Sequence, residues 1–205
     1  MKLSRTTPIE SVAKHPEFQR LDSISDVVVE LRYATENNFV RRDMYAGFDC
    51  AWLHCDAAVA LSNVAAGLRA ARPDLRLLVL DALRPQRVQE LMWDSLEGTD
   101  LRNYLASPDR GSIHSFGMAV DVTLIDAEGR ELDMGTAFDD LTERSHPALE
   151  AEHLQRGELT PEQIDSRQIL REAMVANGWQ GIATEWWHFD CGDRALVRQN
   201  YLRVL

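Results

Sequence analysis

Two runs of strand length are apolar almost without a break, LRLLVLDAL (75–83) and MAVDVTLID (118–126). Runs of this length and composition are buried strands, so the chain must build a sheet that is covered rather than solvated. The second run carries an anomaly. Asp121 sits in its middle, and strand alternation places it with Ala119 and Thr123 on one face, opposite Met118, Val120, Val122 and Leu124. A buried carboxylate needs a cation or several donors to offset its lost hydration. For Asp121 alone, a set of backbone donors serves as well as a metal.

Around these runs, DVVVELRY (26–33) is β-branched enough for a strand. Residues 56–71 place Val59, Leu61, Val64, Ala65 and Leu68 at helical spacing, and Pro73 closes that helix. Pro85 suits a helix first turn, which QRVQELMWDSL continues to Leu96. Thr160-Pro161-Glu162-Gln163 has the form of a capping box, and its helix runs through Ile169, Leu170, Met174 and Val175 to a stop at Gly178. EWWHFD (185–190) reads as a strand. Helices and strands are interspersed without repeat or linker, and a turn at Ala127-Glu128-Gly129 implies antiparallel pairing. The expected fold is α+β: one domain over 1–205, about 20 N-terminal residues peripheral, and a mainly antiparallel sheet with flanking helices.

A chain of 205 residues suffices for one sizeable core. Its net charge of −11, with scattered basic residues, argues against nucleic acid as partner. No run approaches about 18 apolar residues, so no membrane span is expected. The start, MKLSRTTPIE, lacks the apolar stretch of a signal peptide, and Cys50, Cys55 and Cys191 suit free thiols in a reducing compartment. A cytoplasmic setting follows.

Polar residues gather near the second strand. His114 precedes it in Ser112-Ile113-His114-Ser115-Phe116-Gly117, a loop able to turn a histidine back towards Asp121. Far downstream stands Glu185-Trp186-Trp187-His188. Two imidazoles, a carboxylate and a spare glutamate are the parts of a catalytic zinc site with an open fourth position. The cysteines lack structural-zinc spacing, and HExxH is absent. One tension stands out: residues three apart in a regular strand point to opposite faces, so Glu185 and His188 cannot share a metal unless a bulge or a loop-to-strand junction falls at Glu185 or Trp186.

The set Ser112-x-His114-x-x-Gly117-x-Ala119-x-Asp121, followed by Glu185-Trp186-Trp187-His188, resembles the D-alanyl-D-alanine dipeptidases, within a wider group of zinc peptidases acting on D-amino acids and peptidoglycan. LRYATENNF (31–39), Arg84-Pro85, MGTAFD (134–139), ERSH (143–146) and Asn177-Gly178-Trp179 extend the likeness over residues 25–190. The resemblance implies one Zn²⁺ held by His114, Asp121 and His188, with Glu185 as general base. It implies Arg84 as transition-state stabiliser, Asp139 as receptor of the dipeptide ammonium, and Ser112 and Tyr33 as pocket walls. The implied partner is a small dipeptide. Phe116 departs from the family's arginine at that position, which leaves the dipeptide preference open.

Each role has a plainer competitor. Arg84 can pair with Asp81 at the surface, Asp139 can cap a helix, Tyr33 can be core and Ser112 a turn residue. His146 and His153 lie in the polar stretch HPALEAEH and are expected to be solvated. Rival functions are a D,D-carboxypeptidase or peptidoglycan endopeptidase with the same metal site, and a non-catalytic zinc module that binds D-alanyl ends.

Overall fold

The two apolar runs become the middle of a sheet. The structure is a computed structural model that describes residues 5–205. In chain order its strands are β1 (Thr6–Thr7), β2 (Phe18–Arg20), β3 (Val27–Val29), β4 (Trp52–His54), β5 (Arg76–Asp81), β6 (Ala119–Ile125), β7 (Trp179–Gly181), β8 (His188–Cys191) and β9 (Arg203–Val204). Its helices are α1 (Cys55–Ala71), α2 (Gln86–Ser95), α3 (Glu150–Gln155), α4 (Pro161–Val175) and α5 (Arg194–Asn200). The main sheet runs β3-β5-β6-β8-β7, parallel only between β3 and β5 and antiparallel elsewhere. The architecture is α+β. Two small sheets flank it, β2 with β4, and β1 with β9, which joins the two ends of the chain.

Residues 75–83 and 118–126 supply β5 and β6, each trimmed by one or two residues at either end. Val120, Val122 and Leu124 pack with Leu77 and Val79 into a core shared with α1 and α4. Helix α1 buries Ala57, Ala58, Leu61, Val64, Ala65 and Leu68; Val59, though apolar, lies on its outer side and is 60% exposed. Helix α4 starts on the expected capping box, with Gln163 N–H donating to Thr160 Oγ1 and Thr160 N–H to the Gln163 side chain. Burying a leucine or valine stabilises by about 1.5–3 kcal/mol, so this apolar layer fixes how the sheet is held.

Two strand expectations are corrected. The segment 26–33 is extended only over Val27–Val29, because β3 is an edge strand with β5 as its one neighbour, and it passes into a 3₁₀ turn, Arg32–Ala34. Of EWWHFD only the last three residues are strand, in β8 (His188–Cys191). Ile9, Val12 and Phe18 pack with Tyr33, Tyr45, Leu83 and Met92 in a second core cluster. His153 is buried, not solvated, its Nδ1 2.5 Å from Glu158. Among the described residues no helix is long and apolar enough to cross a membrane, and the three cysteines are free.

Candidate active site

The register of the sheet assembles the site. Asp121 in β6 stands directly opposite His188 in β8, and on its other side opposite Asp81 in β5. Regular pairing from Val79–Val122 would bring Leu80 to that place. A bulge between Val79 and Asp81 inserts one residue and puts the Asp81 carboxylate beside Asp121 instead.

His114 arrives from a 3₁₀ turn, Ile113–Phe116, just before β6. Ser112 caps this turn by accepting the His114 N–H at 3.3 Å. Gly117 ends it at φ +64°, and a Cβ there would lie 2.7 Å from the His54 nitrogen, so only glycine fits. The Arg84 N–H donates to the His114 carbonyl, tying the turn to the loop after β5.

These elements bring three donor atoms together. His114 Nε2 lies 3.1 Å from His188 Nδ1 and 3.4 Å from Asp121 Oδ1, and His188 Nδ1 lies 3.0 Å from Asp121 Oδ1. Ligands at about 2.0–2.1 Å on the corners of a tetrahedron stand about 3.3–3.4 Å apart, so the triangle matches a tetrahedral metal such as zinc. Among the described residues this is the one such group of three metal-ligating side chains. The outer nitrogens are also occupied: His114 Nδ1 is 2.7 Å from the Ala82 carbonyl and His188 Nε2 is 3.0 Å from Asp190, which also accepts from Arg194 at 2.5 Å. Such partners fix ring orientation and leave the inner nitrogens free to ligate. Burial alone would raise the Asp121 carboxyl, but His114 and His188 hold it well below the usual carboxylate range.

A cavity of about 340 Å³ opens over this centre. All eight residues singled out from the sequence line it: Tyr33, Arg84, Ser112, His114, Asp121, Asp139, Glu185 and His188. Glu185 lies in the loop before β8, outside the strand and outside the ligand group. The alternation conflict is thereby resolved, because the loop-to-strand junction falls at Trp187–His188. Burial pushes the Glu185 carboxyl up to about 7, against the pull of His188. Trp187 joins the cavity wall, while Trp186 is core and donates to Thr136 Oγ1 at 2.8 Å.

Arg84 is buried rather than at the surface, and it does pair with Asp81, through Nε at 2.9 Å and Nη2 at 2.7 Å. It also reaches Gln89 at 3.1 Å and Asp121 Oδ2 at 3.3 Å, and stacks over the Tyr33 ring at 4.9 Å. Four of its five N–H donors are thus used, leaving one on Nη1. Asp139 caps no helix. It accepts the Tyr33 hydroxyl at 2.8 Å and the Phe39 N–H at 3.2 Å, and burial still pushes it up to about 8.

Sequence reasoning missed Asp81 as the buried clamp of Arg84 and Asp190 as the partner of His188. Both left signals. Asp81 interrupts an apolar run as Asp121 does, and Asp190 sits two residues after His188, on the same strand face. The basic wall formed by Arg110, Arg194 and Arg198 left none.

The profile of the D-ala-D-ala dipeptidase family matches residues 14–205. The chain is similar to a D-alanyl-D-alanine dipeptidase of Escherichia coli K12, 36% identical over 165 residues, 80% of this chain and 79% of the relative. It is similar to proteins of the same name from Enterococcus faecalis, 30% identical over 78% of this chain and 83% of the relative, and Enterococcus faecium, 29% over 84% and 90%.

Proposed function

The chain belongs to the D-Ala-D-Ala dipeptidase family of metallopeptidases, and from that premise and the donor triangle we propose that it hydrolyses D-alanyl-D-alanine to two D-alanines with one zinc ion held by His114, Asp121 and His188. The observation that carries this reading is the match between the 3.0–3.4 Å donor separations and tetrahedral ligation. When bound, the metal supplies Lewis-acid activation of water and of the peptide carbonyl.

The chain's own residues do the rest. Glu185 takes the proton of the attacking water as its oxygen bonds to the carbonyl carbon, then returns a proton to the leaving amine as the C–N bond breaks. The spare Arg84 N–H is the donor for the developing oxyanion. Asp139, held by Tyr33, receives the substrate ammonium and so measures the distance from a free amino terminus to the scissile bond. Ser112 acts on the site through the turn that carries His114. Residues 1–205 form one functional domain, and the free thiols favour a cytoplasmic setting.

A second cavity of about 600 Å³ shares Phe39, Asp139 and Leu141 with the first and is the feature that favours an N-terminally extended substrate. Incubation with D-Ala-D-Ala, L-Ala-L-Ala and a longer peptide ending in D-Ala-D-Ala separates the readings. The dipeptidase reading expects cleavage of the first alone. Cleavage of the long peptide alone makes the enzyme a carboxypeptidase, and binding without cleavage makes it a recognition module.

A further inference from the structure

The cavity has two differently charged sides. Contacts lead from Asp139 through Tyr33 and Arg84 to Asp121, then through His188 and Asp190 to Arg194, so the ammonium-side carboxylate and α5 stand at the two ends of one run of contacts that passes through His188 and Asp121. On the arginine side the charges are unequally matched. Arg194 is neutralised by Asp190. Arg198 is half-buried and lines the cavity, yet it donates only to backbone carbonyls, from Nε to Gly111 at 3.1 Å and from Nη1 to Arg194 at 3.3 Å. Among the described residues neither Arg198 nor Arg110 has a carboxylate within ion-pair reach, and the Nη2 of Arg198 has no partner.

A guanidinium drawn out of water without a counter-ion is costly, and its planar fork matches a carboxylate. Burial, then Arg110 and Arg194, push the Arg198 guanidinium below its ordinary pKa, as expected for a cation among cations. The contact with Gly111 fixes Arg198 beside the segment that leads through Ser112 to His114, so an anion held there lies in the cavity that His114, Asp121 and His188 also line.

We propose that Arg198, assisted by Arg110, forms the subsite that receives the α-carboxylate of the dipeptide substrate. The inference rests on the dipeptidase reading above. It makes the cavity complementary to a zwitterion, with Asp139 for the ammonium and Arg198 for the carboxylate. Both ends of the substrate are then read, and a C-terminally blocked or extended peptide is rejected as firmly as an N-acylated one. An interaction made equally in the ground and transition states lowers KM and leaves kcat alone.

The test compares D-Ala-D-Ala with its C-terminal amide on the zinc-loaded protein, as wild type and as Arg198→Met, Arg198→Lys and Arg110→Met. Wild type should prefer the free acid in kcat/KM by about 10–100-fold, the usual worth of a charged hydrogen-bonded pair. Arg198→Met should erase that preference through KM, leave turnover of the amide as it was, and be partly rescued by Arg198→Lys. The exposed Arg110→Met, which breaks no hydrogen bond, should show a smaller loss in the same direction. Wild type without an acid-over-amide preference, or a preference that survives in both methionine variants, overturns the subsite while the dipeptidase reading stands. Wild type that cleaves no dipeptide overturns both.

Discussion

His188 and Asp121 face each other across antiparallel strands β8 and β6, with His188 Nδ1 3.0 Å from Asp121 Oδ1. This pairing is a property of sheet register, since a slip by one residue would turn either side chain to the opposite face. The same row continues to Asp81 in β5, whose bulge supplies the counter-charge for Arg84. Two of the three residues of the donor triangle, and the carboxylate that clamps Arg84, are thus set by one line of cross-strand neighbours, with His114 added from the turn before β6 and the apolar layer on α1 and α4 behind them.

Glu185 stands outside the ligand group, so Glu185→Gln should bind zinc like the wild type while kcat falls by about 10²–10⁴, the usual contribution of a positioned acid–base group. Metal analysis and kcat on one sample check it. Loss of zinc in the variant would make Glu185 a ligand.

Arg84→Ala removes the proposed oxyanion donor and should lower kcat by about 10²–10³ at unchanged zinc content. It also strands the fully buried Asp81, which lowers stability by about 3–5 kcal/mol. Arg84→Lys retains a charge for Asp81, so its melting temperature should lie between those of wild type and Arg84→Ala. Near-normal turnover in the alanine variant removes Arg84 from the chemistry.

Asp190→Asn keeps the shape of the His188 partner and discards its charge. Loss of such outer support weakens metal affinity by about 10–100-fold. Competition with a chromophoric chelator measures it, and an unchanged zinc Kd would show that His188 needs no help from Asp190.

Asp139 links function to pH. Burial lifts its carboxyl from 3.8 to about 8, so the folded chain holds a proton that the unfolded chain has lost between these values. Its contribution to stability is therefore present below about pH 4 and lost as pH rises to about 8. Asp139→Asn does not titrate, and asparagine tolerates the φ of +63°. The variant should melt higher than wild type at pH 8, by roughly 2–4 °C per kcal/mol, with the gap closing towards pH 4. Its KM for D-Ala-D-Ala should rise. A gap independent of pH would contradict a carboxyl raised by its surroundings.

Where local chemistry decides structure, the sequence was readable. The apolar runs predicted β5 and β6, Thr160 and Gln163 predicted the start of α4, and the isolation of Asp121 in an apolar strand, taken with His114 and His188, pointed to a group that could hold a metal. Where partners are distant, it was not. Tyr33 and Asp139 meet across 106 positions, and neither carries a local sign of the other. The bulge in β5 is silent because Leu80 is as apolar as the residues that precede it. β8 starts at His188, its first residue paired with β6; the Trp187 carbonyl still accepts the Val122 N–H at 3.0 Å, whereas Trp186 has strand propensity without a ladder to join. Arg198 gained meaning only when α5 folded against Gly111.

Titration of the metal-free protein with Zn²⁺, with D-alanine release from D-Ala-D-Ala followed at each step, tests the central claim most directly. The account predicts activity that rises in proportion to added zinc and breaks at one equivalent per chain, with no such rise in His188→Ala. Hydrolysis that persists in excess chelator, or zinc bound at one equivalent without any release of D-alanine, would contradict it.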